Sequence, residues 1–95
     1  MVWWNAELYR VKGDLLLRHG AEEAEACYRQ AIEVARGQEA KSLELRAATS
    51  LGRLWKGQGK IAESRDLLAP IYGWFTEGFD TTDLKDAKAL LDELG

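Results

Sequence analysis

The chain has 95 residues, 46% hydrophobic and 31% charged, with a single proline; that balance describes one helix-rich globular domain and excludes a disordered chain. Its net charge of −3 argues against a general nucleic-acid binder, which carries a positive excess. A lone cysteine, Cys27, excludes an internal disulfide and fits a reducing cytosol, and no apolar run approaches the roughly 20 residues of a membrane span, so the expected protein is soluble, cytoplasmic and without a membrane partner.

The first predicted helix covers 2–18. It sets Trp4, Leu8, Val11 and Leu15 on one helical stripe, widened by Leu16 and Leu17, with Glu7, Arg10, Asp14 and Arg18 opposite. Gly20 is read as its left-handed terminator. The second helix, 21–36, gathers Ala24, Cys27, Tyr28, Ala31, Ile32 and Ala35 on a face of mostly small residues, and Gly37 stops it. The third, 39–58, carries Leu43, Ala47, Ala48, Leu51, Leu54 and Trp55 and ends at Gly59. The fourth, 60–76, turns Ile61, Leu67, Leu68, Ile71, Tyr72 and Phe75 inward. Pro70 removes one backbone bond there, so a kink is expected, because the apolar period continues across it. A loop follows over 78–82. Thr81 is the expected N-cap of a last helix, 82–94, with Leu84, Ala87, Leu91 and Leu94 buried.

The chain also says the same thing twice. The segment 13–20, Gly-Asp-Leu-Leu-Leu-Arg-His-Gly, recurs at 52–59 as Gly-Arg-Leu-Trp-Lys-Gly-Gln-Gly, offset by 39 residues, with both glycines and the Leu15/Leu54 pair in register. Self-similarity at such a period marks stacked helical hairpins, each relying on its neighbours to cover its apolar faces. Unit one is 3–36 and unit two 39–76, closed by a capping helix over 81–94, within a single domain over 1–95.

The repeat resembles the tetratricopeptide pattern, W-x2-L-G-x2-Y then A-x3-F, over about 34 residues. Unit two has Ala48, Leu51, Gly52 and Trp55, then Ser64 and Leu68; unit one has Tyr9, Lys12, Gly13 and Leu16, then Ala24, Tyr28 and Ala31. The longer period, a first turn one residue shorter and the missing closing proline depart from it. The resemblance implies an all-α right-handed superhelix of two hairpins plus the capping helix. Trp3, Trp4, Ala6, Glu7, Leu8, Arg10, Lys12, Gly13 and 15–17, with the runs 40–48 and 66–81, are similar to the C-terminal repeats of large bacterial adenylate or guanylate cyclases and predicted signalling ATPases. In those proteins such a tail is implied to serve assembly or regulation. No phosphate-binding loop of the G-x4-G-K-[ST] type and no cyclase metal-binding segment occurs here, so neither activity is carried over.

No catalytic centre, metal site or cofactor is expected. His19 is read as a helix-end residue at the negative end of the dipole and Cys27 as a core packer. Glu22, Glu23 and Glu25, like Asp80 and Asp83, complement the positive ends of helices. Trp55 is read as core; Trp3, Trp4 and Trp74 are read as core or as an apolar patch open to association. The inner surface of such an array is lined by the first helix of each hairpin, here Glu7, Arg10, Asp14 and Leu17, then Arg46, Thr49, Arg53 and Lys56. The candidate binding residues are Arg10, Asp14, Arg46, Thr49, Arg53 and Lys56. Their basic members suit an acidic peptide or a C-terminal carboxylate, although Asp14 stands where the carboxylate clamp of chaperone-binding relatives needs an asparagine. Trp3, Trp4, Leu8 and Val11 have no preceding helix to shield them and form the candidate interface of a homodimer. The expected function is a non-catalytic protein-interaction module whose partner is a protein or peptide and not a small-molecule substrate. The alternative is a structural cap of a larger signalling protein with no ligand of its own.

Overall fold

The computed structural model describes residues 5–75 and 81–94, in which the chain forms helices α1 (Asn5–Leu16), α2 (Ala21–Gly37), α3 (Lys41–Gly57), α4 (Ile61–Gly73) and α5 (Thr82–Leu94), and no strand among the described residues. All five expected helices are present, so the fold is all-α. The expected start of α1, the residues after Phe75 that were to complete α4, and the side chains of Trp3, Trp4 and Asp80 lie outside the described residues.

Each helix packs on the next in sequence. The odd-numbered helices also lie side by side, α1 against α3 and α3 against α5, whereas α2 and α4 do not meet. Two layers result, and the molecule measures 35 × 34 × 19 Å, the short axis matching two helices about 10 Å apart. The interior between the layers is Ala24, Tyr28, Ala31 and Ile32 of α2, Leu45, Ala47, Ala48 and Leu51 of α3, Leu68 and Ile71 of α4, and Leu84, Ala87, Leu90 and Leu94 of α5. Most of these positions follow from helical periodicity. On α5, Leu90 is the buried residue and Leu91 only flanks the core. Trp55 likewise flanks the core, and Cys27 is half-buried at the edge of α2.

Both glycines of the repeat mark points of close helix approach. A Cβ on Gly13 would stand 2.7 Å from a Tyr28 ring carbon, and one on Gly52 would stand 3.0 Å from Ser64 Oγ and 3.1 Å from a Leu90 methyl. The buried Ser64 hydroxyl donates to the Gly52 carbonyl at 2.8 Å, so the first and second helices of each hairpin touch at their glycine.

The turns revise one expectation. Gly20 has φ 176° and ψ 134°, an extended backbone, so it caps the start of α2 and does not end α1 in a left-handed turn. Among the described residues the left-handed ones are Gly59 (φ 83°) and Glu39 (φ 55°). Behind α3, Lys60 N–H bonds Trp55 C=O at 2.8 Å and Gly59 N–H bonds Lys56 C=O at 3.0 Å. Behind α2, Ala40 N–H bonds Ala35 C=O at 2.8 Å and Glu39 N–H bonds Arg36 C=O at 3.1 Å. Both are the paired closing bonds of the Schellman motif. The equal spacing hides that one turn uses glycine and the other a glutamate. α4 runs unbroken through Pro70, its inward Leu68 and Ile71 lying on either side of it. Thr81 is the N-cap expected for α5, its Oγ1 accepting from Leu84 N–H at 3.4 Å. At the other end of α5, Arg65 donates to the Leu94 carbonyl at 3.0 Å.

On α1, Leu8, Val11 and Leu15 are 55%, 44% and 64% exposed, so the apolar stripe, read as unshielded at Leu8 and Val11, faces outward. What α1 presents to the core is Gly13 and Leu16.

Candidate interaction face

The layer formed by α1, α3 and α5 presents the polar side chains of these helices side by side. Residues 39 apart on α1 and α3, or 37 apart on α3 and α5, stand opposite one another. Arg46 Nη1 donates to Glu7 Oε2 at 2.7 Å across 39 residues. On its other side its Nε and Nη2 fork onto the two Asp83 oxygens at 3.1 and 2.9 Å across 37 residues. Lys56 pairs with Glu93 at 2.7 Å. The planar guanidinium suits Arg46 to the central role, because it can hold a carboxylate on each side. Thr81 starts α5 at the turn that brings Asp83 to this face.

On α1, Arg10 forks onto Glu7 at 3.0 and 3.2 Å and reaches Asp14 at 3.2 Å. The Tyr28 hydroxyl donates to the other Asp14 oxygen. Partial burial raises the Glu7 carboxyl, but the hydrogen bonds from Arg10 and Arg46 outweigh it and hold the group below its ordinary range. Arg46 is raised by its hydrogen bond to Asp83, against desolvation, with Glu7 adding to the rise. Tyr28 is pushed well above the usual phenol value by burial and then by Asp14.

Two adjoining clefts open on this face. One, of about 150 Å³, is lined by Arg10, Arg46, Thr49, Ser50, Arg53, Asp83 and Asp86; the other, of about 230 Å³, by Arg10, Asp14, Leu17, Tyr28, Ser50, Arg53 and Leu54. Arg10, Ser50 and Arg53 border both, so the clefts form one groove. Arg53 is exposed and has no carboxylate partner among the described residues.

Of the six residues predicted to bind, the groove therefore brings together Arg10, Asp14, Arg46, Thr49 and Arg53. Lys56 lies outside both clefts, paired with Glu93. The reading of Arg46 and Lys56 as cations available to a ligand needs correction, since each is already matched by carboxylates of this chain. Thr49 is 4% exposed and returns its hydroxyl to Leu45 C=O at 2.8 Å, so it shapes the wall without offering a donor. Sequence reasoning missed Ser50, Asp83 and Asp86. The 39-residue repeat gave no register for α5: the step of 37 that takes Arg46 to Asp83, and Thr49 to Asp86, comes from the packing.

Elsewhere, Trp74 is 58% exposed, its ring meeting Phe75 edge-on at 5.1 Å and the Lys41 ammonium at 5.5 Å. Beside it the Glu44 carboxylate, 3% exposed, accepts from Arg36 at 2.8 Å and Lys41 at 3.3 Å. Trp55 Nε1 donates to Glu25 at 2.8 Å, and Arg29 lies 5.3 Å from the Trp55 ring. His19 and Cys27 border neither part of the groove. Among the described residues no cluster of His, Cys, Asp or Glu converges as a metal site, and no helix is long and apolar enough to cross a membrane. No protein family, curated protein or solved structure was found to match the chain.

Proposed function

We propose that the chain is a non-catalytic protein-interaction module of the tetratricopeptide type, with the α1–α3–α5 layer as its receiving face and an acidic peptide segment as its ligand. The observation that carries this reading is Arg53, an exposed guanidinium between two clefts that is ion-paired to no carboxylate among the described residues. An arginine so placed binds a carboxylate through two parallel bonds, and the clefts on either side admit flanking side chains. Asp86 faces the first cleft and selects against a second acidic residue there, which gives the bound segment a direction. The contact pattern supports the superhelical reading: each helix touches its successor, and only the first helices of the hairpins touch one another. The resemblance to the tails of bacterial cyclases and signalling ATPases implies a cytoplasmic, regulatory setting.

The test is anisotropy of a labelled Glu-Ala peptide titrated with the protein. Arg53→Glu should weaken binding by about tenfold or more, equivalent to at least about 1.4 kcal/mol, with helicity unchanged, and added salt should weaken the wild type. Binding that survives Arg53→Glu moves the site elsewhere.

One observation favours the alternative role of a structural cap. The outward face of α5 carries Lys85, Lys88 and Asp92, all exposed, as the solvated end of a stacked array requires. In that role the peptide would not bind the wild-type protein at all.

A further inference from the structure

We infer that the exposed apolar face of α1 is the contact through which two copies of this chain pair head to head. The surface is separate from the Arg53 groove, so the two ideas stand or fall independently.

The repeat shows that a helix face of this kind is normally covered. The positions 39 residues after Leu8, Val11 and Leu15 are Ala47, Ser50 and Leu54, and a further step of 37 reaches Leu84, Ala87 and Leu91. α3 packs against α1 and α2, and α5 against α3 and α4. All six are buried or half-buried. On α1, which no described helix precedes, the same three positions are about half exposed.

The occupant follows from where apolar surface remains. Among the described residues the exposed large hydrophobics are Leu8, Tyr9, Val11, Leu15, Leu17 and Trp74; Leu17 lines the groove, while Leu8, Val11 and Leu15 share one face of α1. The opposite end of the layer offers no match, because α5 turns Lys85, Lys88 and Asp92 outward. A head-to-tail stack would press leucines against ammonium and carboxylate groups and desolvate them without partners. The surface that does complement the α1 stripe is a second α1 stripe, and a two-fold axis supplies it. In an antiparallel pair with the axis beside Val11, Leu8 of one copy meets Leu15 of the other. A helix of 12 residues is about 18 Å long, so the pair is small beside the roughly 1,000 Å² or more that a stable specific interface buries. The dimer is therefore weak and concentration-dependent.

Sedimentation of the full chain across the micromolar range tests this. The expected result is a monomer–dimer equilibrium that Leu8→Glu with Leu15→Glu abolishes and Lys88→Glu leaves intact. Because both leucines are exposed, circular dichroism of the double variant should match the wild type. Independently, Val11→Cys in a Cys27→Ser background should form a disulfide-linked dimer under mild oxidation, since Val11 lies beside the axis. A strictly monomeric chain overturns the proposal. So does a dimer that survives the double substitution, a dimer in which Val11→Cys fails to cross-link, or a ladder of higher oligomers from head-to-tail stacking.

Discussion

Trp55 shows how one half-buried side chain does several things at once. Its ring flanks the core beneath Arg29, and its N–H holds Glu25 at 2.8 Å. Trp55→Ala should cost about 2 kcal/mol, below the roughly 3–5 of a fully buried aromatic, read as a lowered urea midpoint. An unchanged midpoint would show that the ring contributes nothing to packing. Trp55→Phe isolates the hydrogen bond. That bond, against the opposing effect of burial and with help from Arg29, holds the Glu25 carboxyl below its ordinary value of 4.5. A carboxylate depressed in the folded state adds stability above its unfolded pKa and loses it as the pH falls through the folded one. Trp55→Phe should therefore be less stable than the wild type at neutral pH, with the difference narrowing below about pH 4. Carboxyl NMR should show Glu25 titrating higher in the variant. The glycines add a steric contrast. Gly13→Ala meets the buried, Asp14-tethered Tyr28 ring at 2.7 Å and should cost about 1–3 kcal/mol, the overpacking range, more than Gly52→Ala, whose closest neighbour is a hydroxyl at 3.0 Å.

At the scale of elements, the turns after α2 and α3 are the same device with different residues. Left-handed backbone costs a side chain about 1 kcal/mol that glycine does not incur. Glu39→Gly should then raise stability by about 0.5 kcal/mol after glycine's own entropy is deducted, and Gly59→Ala should lower it by about 1 kcal/mol. Thermal melts of the two variants shifting in the same direction would contradict the shared geometry. Among the described residues α1 contributes no apolar side chain to the fully buried core; it is held by the Gly13–Tyr28 approach, Leu16 and charge pairs. Its amides should exchange fastest of the five helices, and protection there should rise with protein concentration if α1 pairs with its copy.

Across the whole molecule the odd helices are tied by Glu7–Arg46–Asp83 and Lys56–Glu93. Exposed pairs contribute at most about 1 kcal/mol each, but Arg46 serves two carboxylates on two helices. Arg46→Ala should cost about 1–2 kcal/mol in dilute buffer and less in high salt. The Glu7 part of that difference is present above the ordinary carboxyl value and is lost as the pH falls through its lowered folded pKa. Denaturation of both proteins across pH and salt measures it. Arg53→Glu, which breaks no internal pair, should stay within about 0.5 kcal/mol of the wild type, so the peptide-binding test reports recognition and not folding.

Periodicity alone determined that Ala24, Tyr28, Ala31, Leu51, Leu68, Leu84 and Ala87 are buried on four of the helices, α2 to α5, because a 3.6-residue repeat leaves one face for the interior wherever a neighbour exists. The internal repeat determined where helices touch, since Gly13 and Gly52 are the positions at which a Cβ does not fit. Only the tertiary structure decided how far an apolar stripe is exposed: Leu8 and Val11, read as unshielded, and Leu15 beside them stand about half exposed, whereas Leu84 and Ala87 on α5, which packs against α3 and α4, are buried. Only the tertiary structure decided, too, which charges remain available. Arg46, Arg53 and Lys56 are three cations on one helix, and their difference lies in what α1 and α5 place opposite them: carboxylates beside Arg46 and Lys56, and an open groove beside Arg53. Helical spacing sets the direction in which a side chain leaves its own helix; the partner that meets it comes from the packing of the others.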